Sequence, residues 1–306
     1  MSNKIISPIT LSENVTIIEN VATSIIIERY QRFKNLDVAR HFKGIDIISI
    51  CQCNDTGFRF YHPLSTAGDD LFYQELQEKQ QYYRTNRTEH RRTLKYINTD
   101  AKVLEIGTGT GFFLELLKEK TSNCVGLELN TKAVEVARSN GFDVHKELIE
   151  EHAETHSNIY DVVCSYQVLE HVAGVKSYIE NSVKVLKKGG IMIIGVPNNN
   201  PFMHRYDKFD TMNMPPHHVG LWDKKAFESL PKFISGIELK AIEIEDVVAY
   251  GEYAAAIVKQ YLGYTIGDYA MQLFLTKPVH KLLEIVMKPF LKGAEGRNIL
   301  AIYEKI

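Results

Sequence analysis

From about residue 99 onwards, short apolar runs alternate with longer amphipathic segments. The apolar runs predict strands at 102–106, 123–129, 142–145, 160–165 and 191–196. Helices are predicted between them, including 131–139 and 175–188, the second ended by Gly189 and Gly190. Strands that alternate with helices and are apolar on both faces are typical of a parallel sheet covered by helices.

The segments on either side of this alternation have a different pattern. Residues 1–98 predict helices at 23–35 and 69–97, with a β-hairpin formed by 45–50 and 58–61 around a turn at 54–57. Residues 250–296 predict helices at 254–261 and 279–291, followed by a closing strand at 298–303. We therefore divide the chain into an N-terminal helical and hairpin region, 1–98, that covers the cofactor or substrate, and an α/β domain, 99–306, with a helical insertion at about 250–296.

Composition narrows the class of protein. The chain has 306 residues, of which 44% are hydrophobic and 24% charged, which is typical of a soluble globular protein, and its net charge of −2 argues against nucleic acid as a partner. The sequence shows no secretory leader and no apolar run of the ~20 residues that span a bilayer, so we expect a cytoplasmic protein. The insertion is a substrate lid, a homodimer surface, a peripheral membrane helix carrying Lys281, Lys288 and Lys292, or a helix packed on the core.

Cysteine spacing bears on metal binding. Cys51 and Cys53 form a C-x-C pair with His62 nearby, without the second pair that a structural zinc site needs. The sequence therefore predicts no metal.

One turn carries the strongest chemical signal. Gly107, Gly109 and Gly111 follow the strand 102–106 directly and begin a helix, so that a ligand can approach bare backbone at the helix N-terminus. The spacing G-x-G-x-G differs from the G-x-G-x-x-G of dinucleotide sites. Glu105 beside the turn would repel a pyrophosphate but suits a cationic ligand. Glu128, at the end of the next strand, suits the two hydroxyls of a ribose. These acids favour S-adenosylmethionine over NAD.

Four ordered motifs carry a family resemblance. They are VLEIGTGTGFFLELL from Val103, CVGLELN from Cys124, YDVVCSYQVLEHV from Tyr160 and LKKGGIMIIGVPN from Leu186. On these motifs the chain resembles the class I S-adenosylmethionine-dependent methyltransferases. The resemblance implies a Rossmann-like, seven-stranded, mostly parallel sheet whose last strand is antiparallel.

The resemblance also implies a role for particular residues. Gly107, Thr108, Gly109 and Gly111 line the methionine end of S-adenosylmethionine, Glu105 lies near its amino group, and Glu128 binds the ribose. Leu129 and Ile149, the latter with Leu148 as an alternative, pack on the adenine. Tyr166 and Gln167 follow the fourth strand and meet the methionine and the reacting methyl.

The acceptor side of the site is predicted from histidines. Pro215 and Pro216 stiffen a loop that carries His217 and His218, and His171 ends the LEH motif. A neutral imidazole can take the proton that an alcohol loses as it is methylated. Each histidine could instead cap a helix or hold its loop. Nearby aromatic residues could cover the cofactor or pack a helix core; they are Phe72, Tyr73, Tyr82 and Tyr83.

The acceptor itself is inferred only by resemblance. The segment from Cys51 to Pro63 and the PPHH motif are similar to bacterial methyltransferases of surface polysaccharide synthesis. This implies O-methylation of a sugar hydroxyl, on a small-molecule or glycan substrate. Two alternatives stay open: a C- or N-methyltransferase of a modified sugar or natural product, and a non-catalytic cofactor-binding partner subunit.

Overall fold

The N-terminal third forms a small antiparallel sheet with helices beside it. A computed structural model of the protein describes residues 4–80, 88–200, 209–247 and 250–306. The first elements are β1 (Val15–Ala22), α1 (Thr23–Lys34), β2 (Ile47–Cys53), β3 (Arg59–His62), α2 (Asp70–Gln80) and α3 (Thr88–Thr93). The predicted hairpin is confirmed, because β2 and β3 pair antiparallel with Cys51 opposite Phe60. Tyr82 and Tyr83 lie outside the described residues.

The rest of the chain alternates strands and helices before a run of three helices. The elements are β4 (Val103–Ile106), α4 (Phe112–Leu117), β5 (Cys124–Leu127), α5 (Thr131–Ser139), β6 (Val144–His145), α6 (Ile149–Thr155), β7 (Tyr160–Tyr166), α7 (Val175–Val185), β8 (Leu186–Pro197), β9 (Gly220–Leu221), α8 (Lys224–Ser229), β10 (Ile237–Asp246), α9 (Tyr250–Leu262), α10 (Tyr264–Phe274), α11 (Lys277–Met287) and β11 (Glu295–Lys305).

The main sheet has seven strands in the order β10-β11-β8-β7-β4-β5-β6. Neighbours from β8 to β6 are parallel, whereas β11 runs antiparallel to both β8 and β10. Every residue of β4 is buried, as expected of a central strand covered on both faces. The predicted fold class, a Rossmann-like seven-stranded sheet with an antiparallel last strand, is confirmed.

The carboxyl ends of the central parallel strands lie at one edge of the main sheet. Parallel neighbours β4, β5 and β7 end at the same edge of the sheet, so the segments that follow them meet there. Ligands of open α/β sheets bind at this edge. The glycine turn after β4 and Glu128 after β5 are therefore adjacent.

The small sheet has the order β1-β2-β3-β9 and takes its last strand from much later in the chain. In β9, Gly220 pairs with Phe60 and Leu221 with Arg59 of β3. The Tyr30 hydroxyl donates to the Met214 carbonyl at 3.0 Å, and both side chains are buried in one apolar cluster. The loop that carries His217 and His218 thus packs with the N-terminal sheet.

Some elements differ from the sequence prediction. The helix predicted at 175–188 ends at Val185, and Leu186 already begins β8. Gly189, at φ +77°, and Gly190 do not end the helix; they lie inside β8, where its register against β7 shifts. A glycine pair supports a β-bulge as readily as a helix end, and the sequence does not tell the two apart. β1, β9, β10 and α10 were not predicted, although the parallel strands of the main sheet and its closing strand were.

Candidate cofactor and acceptor site

A cavity of about 470 Å³ opens where β4, β5 and β7 end. Its wall is formed by the segments after these strands, by the start of α6 and by the start of α2. The residues that line it include Asp70, Tyr73, Gly107, Glu128, Leu129, Asn130, Glu147, Leu148, Ile149, Glu150, Gln167, Val168 and His171.

The glycine turn has a backbone that only glycine adopts easily. Gly107, Gly109 and Gly111 have φ values of +75°, +56° and +88°. A Cβ on Gly107 would lie 2.3 Å from Val168 Cγ2, and one on Gly111 would lie 2.5 Å from Phe142 Cδ2. Gly107 is on the cavity wall, whereas Gly111 packs against Phe142 and begins α4.

Glu128 joins the end of β5 to this turn. Its carboxylate accepts the backbone N–H of Gly109 and that of Asn130, both at 2.8 Å. Burial raises the pKa of Glu128, and the backbone N–H groups of Asn130 and Gly109 oppose that rise. A carboxylate has about four acceptor sites, so Glu128 can still accept from a ribose hydroxyl at the cavity wall.

Glu105 and Thr108 support the turn from behind. Both are buried, and the Thr108 hydroxyl donates to Glu105 Oε2. Neither of them lines the cavity. The two residues, which the sequence predicted to contact the cofactor, lie beneath the glycine turn instead. A carboxylate in this position still contributes negative charge behind the site.

The predicted adenine and methionine residues fall into two groups. Leu129, Ile149 and Leu148 line the cavity and form an apolar strip between β5 and α6. Gln167 also lines it, at φ +58°, a conformation that is costly for a residue other than glycine. Tyr166 does not: its buried ring packs against Phe113, with centroids 5.0 Å apart.

The charge of the cavity wall favours a cation. Four acidic residues line the cavity: Asp70 of α2, Glu128 after β5, and Glu147 and Glu150 at the start of α6. Among the described residues that line the cavity there is no lysine or arginine. A diphosphate would meet only like charge here, whereas a sulfonium and an ammonium group would be attracted.

The three predicted histidines lie together, but only one reaches the cavity. His171 is on the wall, while His217 and His218 are almost fully buried behind it. Ring centroids are 4.8 Å apart between His171 and each of the other two, and 4.3 Å apart between His217 and His218. Burial, reinforced by the neighbouring imidazoles, holds the pKa of His217 and His218 well below the ordinary value, so both are neutral at pH 7.

Oxygen acceptors fix the tautomer of each ring. His171 Nδ1 lies 2.5 Å from the His217 carbonyl, and His217 Nδ1 lies 2.9 Å from the Met212 carbonyl. His218 Nδ1 lies 3.1 Å from Asn213 Oδ1, and that amide donates from its nitrogen to Asn199. Because a carbonyl oxygen only accepts, each Nδ1 carries the proton and each Nε2 is the basic atom.

A buried carboxylate faces two of these basic atoms. Glu170 is 0% exposed, and its Oε1 lies 3.9 Å from Nε2 of both His171 and His218. Sequence reasoning missed Glu170, although it sits inside the LEH motif; the only signal was an acid between two apolar or aromatic neighbours in a segment expected at the strand edge.

Within the described part of the chain, these three imidazoles come closest to an arrangement that could bind a metal ion. One nitrogen from each of His171, His217 and His218 lies within 4.8 Å of the other two. Zinc bonds of about 2.0–2.1 Å in a tetrahedron place nitrogens roughly 3.4 Å apart. A cation would therefore have to draw the rings together, and the sequence prediction of no metal stays a prediction.

The N-terminal region contributes one wall of the site. Tyr73, in the first turns of α2, donates its hydroxyl to the His217 carbonyl at 3.1 Å and packs edge-on against His171. Phe72, its neighbour, is fully buried in the N-terminal cluster. From the sequence, these aromatic residues could either cover the cofactor or pack in a helix core. In the structure Tyr73 lines the cavity and Phe72 packs in the core, so covering of the cofactor by Tyr73 stays a prediction.

Comparison with known proteins agrees with this geometry. The sequence profile described as a methyltransferase domain matches residues 76–232, and the chain belongs to this family. The ubiquinone biosynthesis O-methyltransferases of Pectobacterium atrosepticum and Sodalis glossinidius are 32% and 31% identical over 105 residues. The match covers 32% of this chain and only 44% and 42% of those proteins.

Solved structures show the same fold. A SAM-dependent methyltransferase from Archaeoglobus fulgidus superposes with a TM-score of 0.51 at 17% identity, covering 76% of this chain and all of that one. A SAM-dependent methyltransferase from Thermotoga maritima gives 0.50 at 17% identity, covering 78% of this chain and 98% of that one. The domain is an S-adenosylmethionine-dependent methyltransferase domain of class I.

The residues present fit S-adenosylmethionine. The acidic wall suits its positive charges, Gly107 presents bare backbone at the cavity wall, and Glu128 can accept from the ribose. The apolar strip of Leu129, Leu148 and Ile149 suits the adenine. No described helix is long and apolar enough to cross a bilayer.

Proposed function

We propose that the protein transfers a methyl group from S-adenosylmethionine to a hydroxyl oxygen of a sugar, in the synthesis of a bacterial surface glycan. The observation that carries the proposal is a histidine, His171, on the wall of the donor cavity, with its Nδ1 against the His217 carbonyl and a buried carboxylate behind it. An alcohol acceptor needs such a base because it must lose a proton. An amine of low pKa needs no such base, because it is already neutral when it attacks the methyl group.

The donor is held by the residues that line the cavity. Glu128 binds the ribose, Leu129 and Ile149 enclose the adenine, and Gly107 and Gln167 lie along the methionine. When bound, S-adenosylmethionine supplies a methyl group on a sulfonium sulfur and leaves as S-adenosylhomocysteine. The chain's own contribution is alignment: fixing acceptor oxygen, methyl carbon and sulfur in line removes much of the entropic barrier.

His171 takes the acceptor's proton in this scheme. Its Nδ1–H is bound to the His217 carbonyl and its Nε2 is buried beside Glu170, so the ring has to turn to bring Nε2 to the acceptor. Nε2 then accepts the proton as the new C–O bond forms and the C–S bond breaks. The Glu170 carboxylate, 3.9 Å from that nitrogen, stabilises the imidazolium that results. His217 and His218 act as positioning residues, because both rings and the His217 carbonyl contact His171 while burial keeps the two rings neutral.

Tyr73 closes the acceptor side. Its hydroxyl touches both the His217 carbonyl and His171 Nδ1, each at 3.1 Å, so an acceptor hydroxyl entering over α2 meets Tyr73 and His171 together. We place the reaction in the cytoplasm, since Cys51, Cys53, Cys124 and Cys164 are all free thiols, as in a reducing compartment.

A phenolic acceptor is the second candidate. The relatives named above are O-methyltransferases of ubiquinone biosynthesis, and a phenol needs the same base. C- or N-methylation of a modified sugar or natural product, and a non-catalytic cofactor-binding role, are further alternatives. The sugar is favoured by the resemblance of the segment from Cys51 to Pro63 and of the PPHH loop, which the structure brings into one sheet.

One labelling experiment separates these candidates. The protein is incubated with methyl-labelled S-adenosylmethionine and panels of nucleotide sugars, glycan fragments, phenols and amines, and the labelled atom is located by NMR. We expect label on a sugar oxygen. Label on a phenol, carbon or nitrogen would reject the sugar proposal. Tight binding of S-adenosylhomocysteine, with no transfer to any panel, would support the non-catalytic alternative.

A further inference from the structure

The helical insertion carries an apolar surface that the methyltransferase site does not use. Large apolar side chains in this segment stand exposed, and Phe290 reaches 84%. They are Tyr261, Leu262, Ile266, Tyr269, Leu273, Leu275, Leu282, Ile285, Val286 and Phe290, which we call the insertion face. Soluble proteins rarely leave so many neighbouring large apolar residues uncovered without a partner.

The exposed residues follow helical spacing. In α10, Ile266, Tyr269 and Leu273 recur at i, i+3 and i+7, which places them on one side of the helix. The opposite side of α10 packs closely on α9: a Cβ on Gly267 would lie within 3 Å of the Lys259 backbone. The apolar spacing of α10 is therefore not explained by packing within the chain.

α11 has two apolar sides. Leu283 and Met287, four residues apart, pack with Tyr250 and Tyr253 of α9. Leu282, Ile285 and Val286 stand on the other side and are exposed by half or more. One side therefore completes the core of the insertion, and the second is left facing outwards.

Positive charge borders the insertion face. Lys277, Lys281, Lys288 and Lys292 lie in or just after α11, and all four are exposed. Of the acids in 261–294, the partly buried Asp268 pairs with Lys259 at 3.3 Å and with Arg29 at 3.7 Å, and Glu284 lies 3.7 Å from Lys288. A chain with net charge −2 therefore has a locally basic border along the insertion face.

We infer that the insertion face binds the surface of an anionic phospholipid bilayer. Exposed leucine, isoleucine and phenylalanine enter the headgroup and acyl boundary, while the lysines meet lipid phosphates. A second copy of this chain fits less well, because a twofold contact through the face would bring lysine rims of like charge together. The inference does not depend on which acceptor is methylated.

Vesicle binding tests the inference with the full-length protein. We expect it to float with vesicles of phosphatidylcholine and phosphatidylglycerol, at least 10-fold more strongly than with phosphatidylcholine alone, and to bind less in high salt. The variant Ile285→Glu/Phe290→Glu should lose at least 10-fold in partitioning. So should Lys281→Glu/Lys288→Glu/Lys292→Glu, which changes only exposed charge.

Matched variants control for folding and for generic stickiness. Ile17→Glu/Ile47→Glu changes exposed isoleucines of the N-terminal sheet, and Lys43→Glu/Lys120→Glu/Lys232→Glu changes exposed lysines elsewhere. Both should bind vesicles like the parent. All variants should keep their affinity for S-adenosylhomocysteine, which reports a folded site.

Two results would overturn the inference. One is equal binding to neutral and anionic vesicles, or none to either. The other is a dimer in light scattering that Ile285→Glu/Phe290→Glu separates into monomers while vesicles stay unbound. In that case the face joins two copies of the chain.

Discussion

Glu128 accepts the backbone N–H of Gly109 at 2.8 Å, so one side chain ties the end of β5 to the glycine turn after β4. The same carboxylate accepts from Asn130. Its position is therefore set before any ligand arrives, and little ordering is required of it when a ribose binds.

Replacing Glu128 should weaken donor binding strongly. Hydrogen bonds to a charged group contribute about 1.5–3 kcal/mol each, so Glu128→Ala should lower the affinity for S-adenosylhomocysteine ~100-fold in calorimetry. Glu150→Gln removes another cavity carboxylate and should cost less than ~5-fold. Equal losses in the two variants would mean that cavity charge, and not the contacts of Glu128, holds the donor.

Gly107 is expected to tolerate no side chain. An added Cβ meets Val168 Cγ2 at 2.3 Å and also imposes φ +75° on a residue with a side chain. Overpacking costs about 1–3 kcal/mol and the left-handed backbone about 1–2 kcal/mol. Gly107→Ala should therefore lower the free energy of unfolding by roughly 2–5 kcal/mol in urea denaturation.

A matched glycine separates the two causes. Gly141 has φ +82° but nothing within 4 Å of an added Cβ, so Gly141→Ala should cost only about 1–2 kcal/mol. Adding Val168→Ala to Gly107→Ala should recover part of the larger loss. If Gly107→Ala is no worse than Gly141→Ala, the contact with Val168 does not restrict this position.

Removing the imidazole at position 171 should slow turnover and spare donor binding. A general base contributes roughly 10²–10⁴-fold, so His171→Ala should lower kcat ~100-fold or more with the affinity for S-adenosylhomocysteine unchanged. His145→Ala, which removes an exposed histidine outside the cavity wall, is the control. If His171→Ala keeps the parental rate, His171 does not act as the base.

The buried histidines should make stability fall as the pH drops. His217 and His218 are neutral in the folded chain at a pKa well below the ordinary value, and both bind protons near pH 6.5 when unfolded. The unfolded state then holds more protons below that pH, so folding loses free energy as pH falls towards the folded pKa values. Each histidine contributes up to about 1.4 kcal/mol per pH unit in this window.

Comparing variants isolates this contribution. Between pH 6.5 and 5.5, the free energy of unfolding of His217→Gln/His218→Gln should decline less steeply than that of the parent, by up to ~2.7 kcal/mol per pH unit. Identical slopes would show that neither ring titrates differently on unfolding. Urea denaturation in buffers of equal ionic strength gives both slopes.

Local signals made the core of this protein predictable. Helix 131–139 matches α5 because apolar positions recur at helical spacing and Asn130 caps it by accepting from the Ala133 N–H. The positions of Gly107 and Glu128 at the sheet edge could be predicted from sequence, since a strand, a turn and an acid at a strand end are all read within a few residues. Their roles towards the cofactor stay a prediction. The strand order follows once those units are recognised.

Long-range contacts were beyond the sequence. Nothing in Gly220 and Leu221 indicates that they pair with β3, about 160 residues earlier. The burial of Glu170 and the stacking of His217 on His218 likewise depend on where two loops meet. Thr108 and Tyr166 were expected to contact cofactor, but burial turns the first to Glu105 and the second to Phe113. The sequence therefore predicts which element a residue belongs to, but not the direction in which its side chain points.

The shared sheet of β3 and β9 has a consequence for anyone who wishes to change acceptor preference by exchanging segments between homologous enzymes. A transplanted N-terminal module would arrive without its fourth strand, and a transplanted histidine loop would arrive without the strand that receives it. The two pieces must be moved as a pair, including the Arg59–Asp223 ion pair that links them at 3.3 Å. Chimeras that split them should be insoluble before their specificity can be measured.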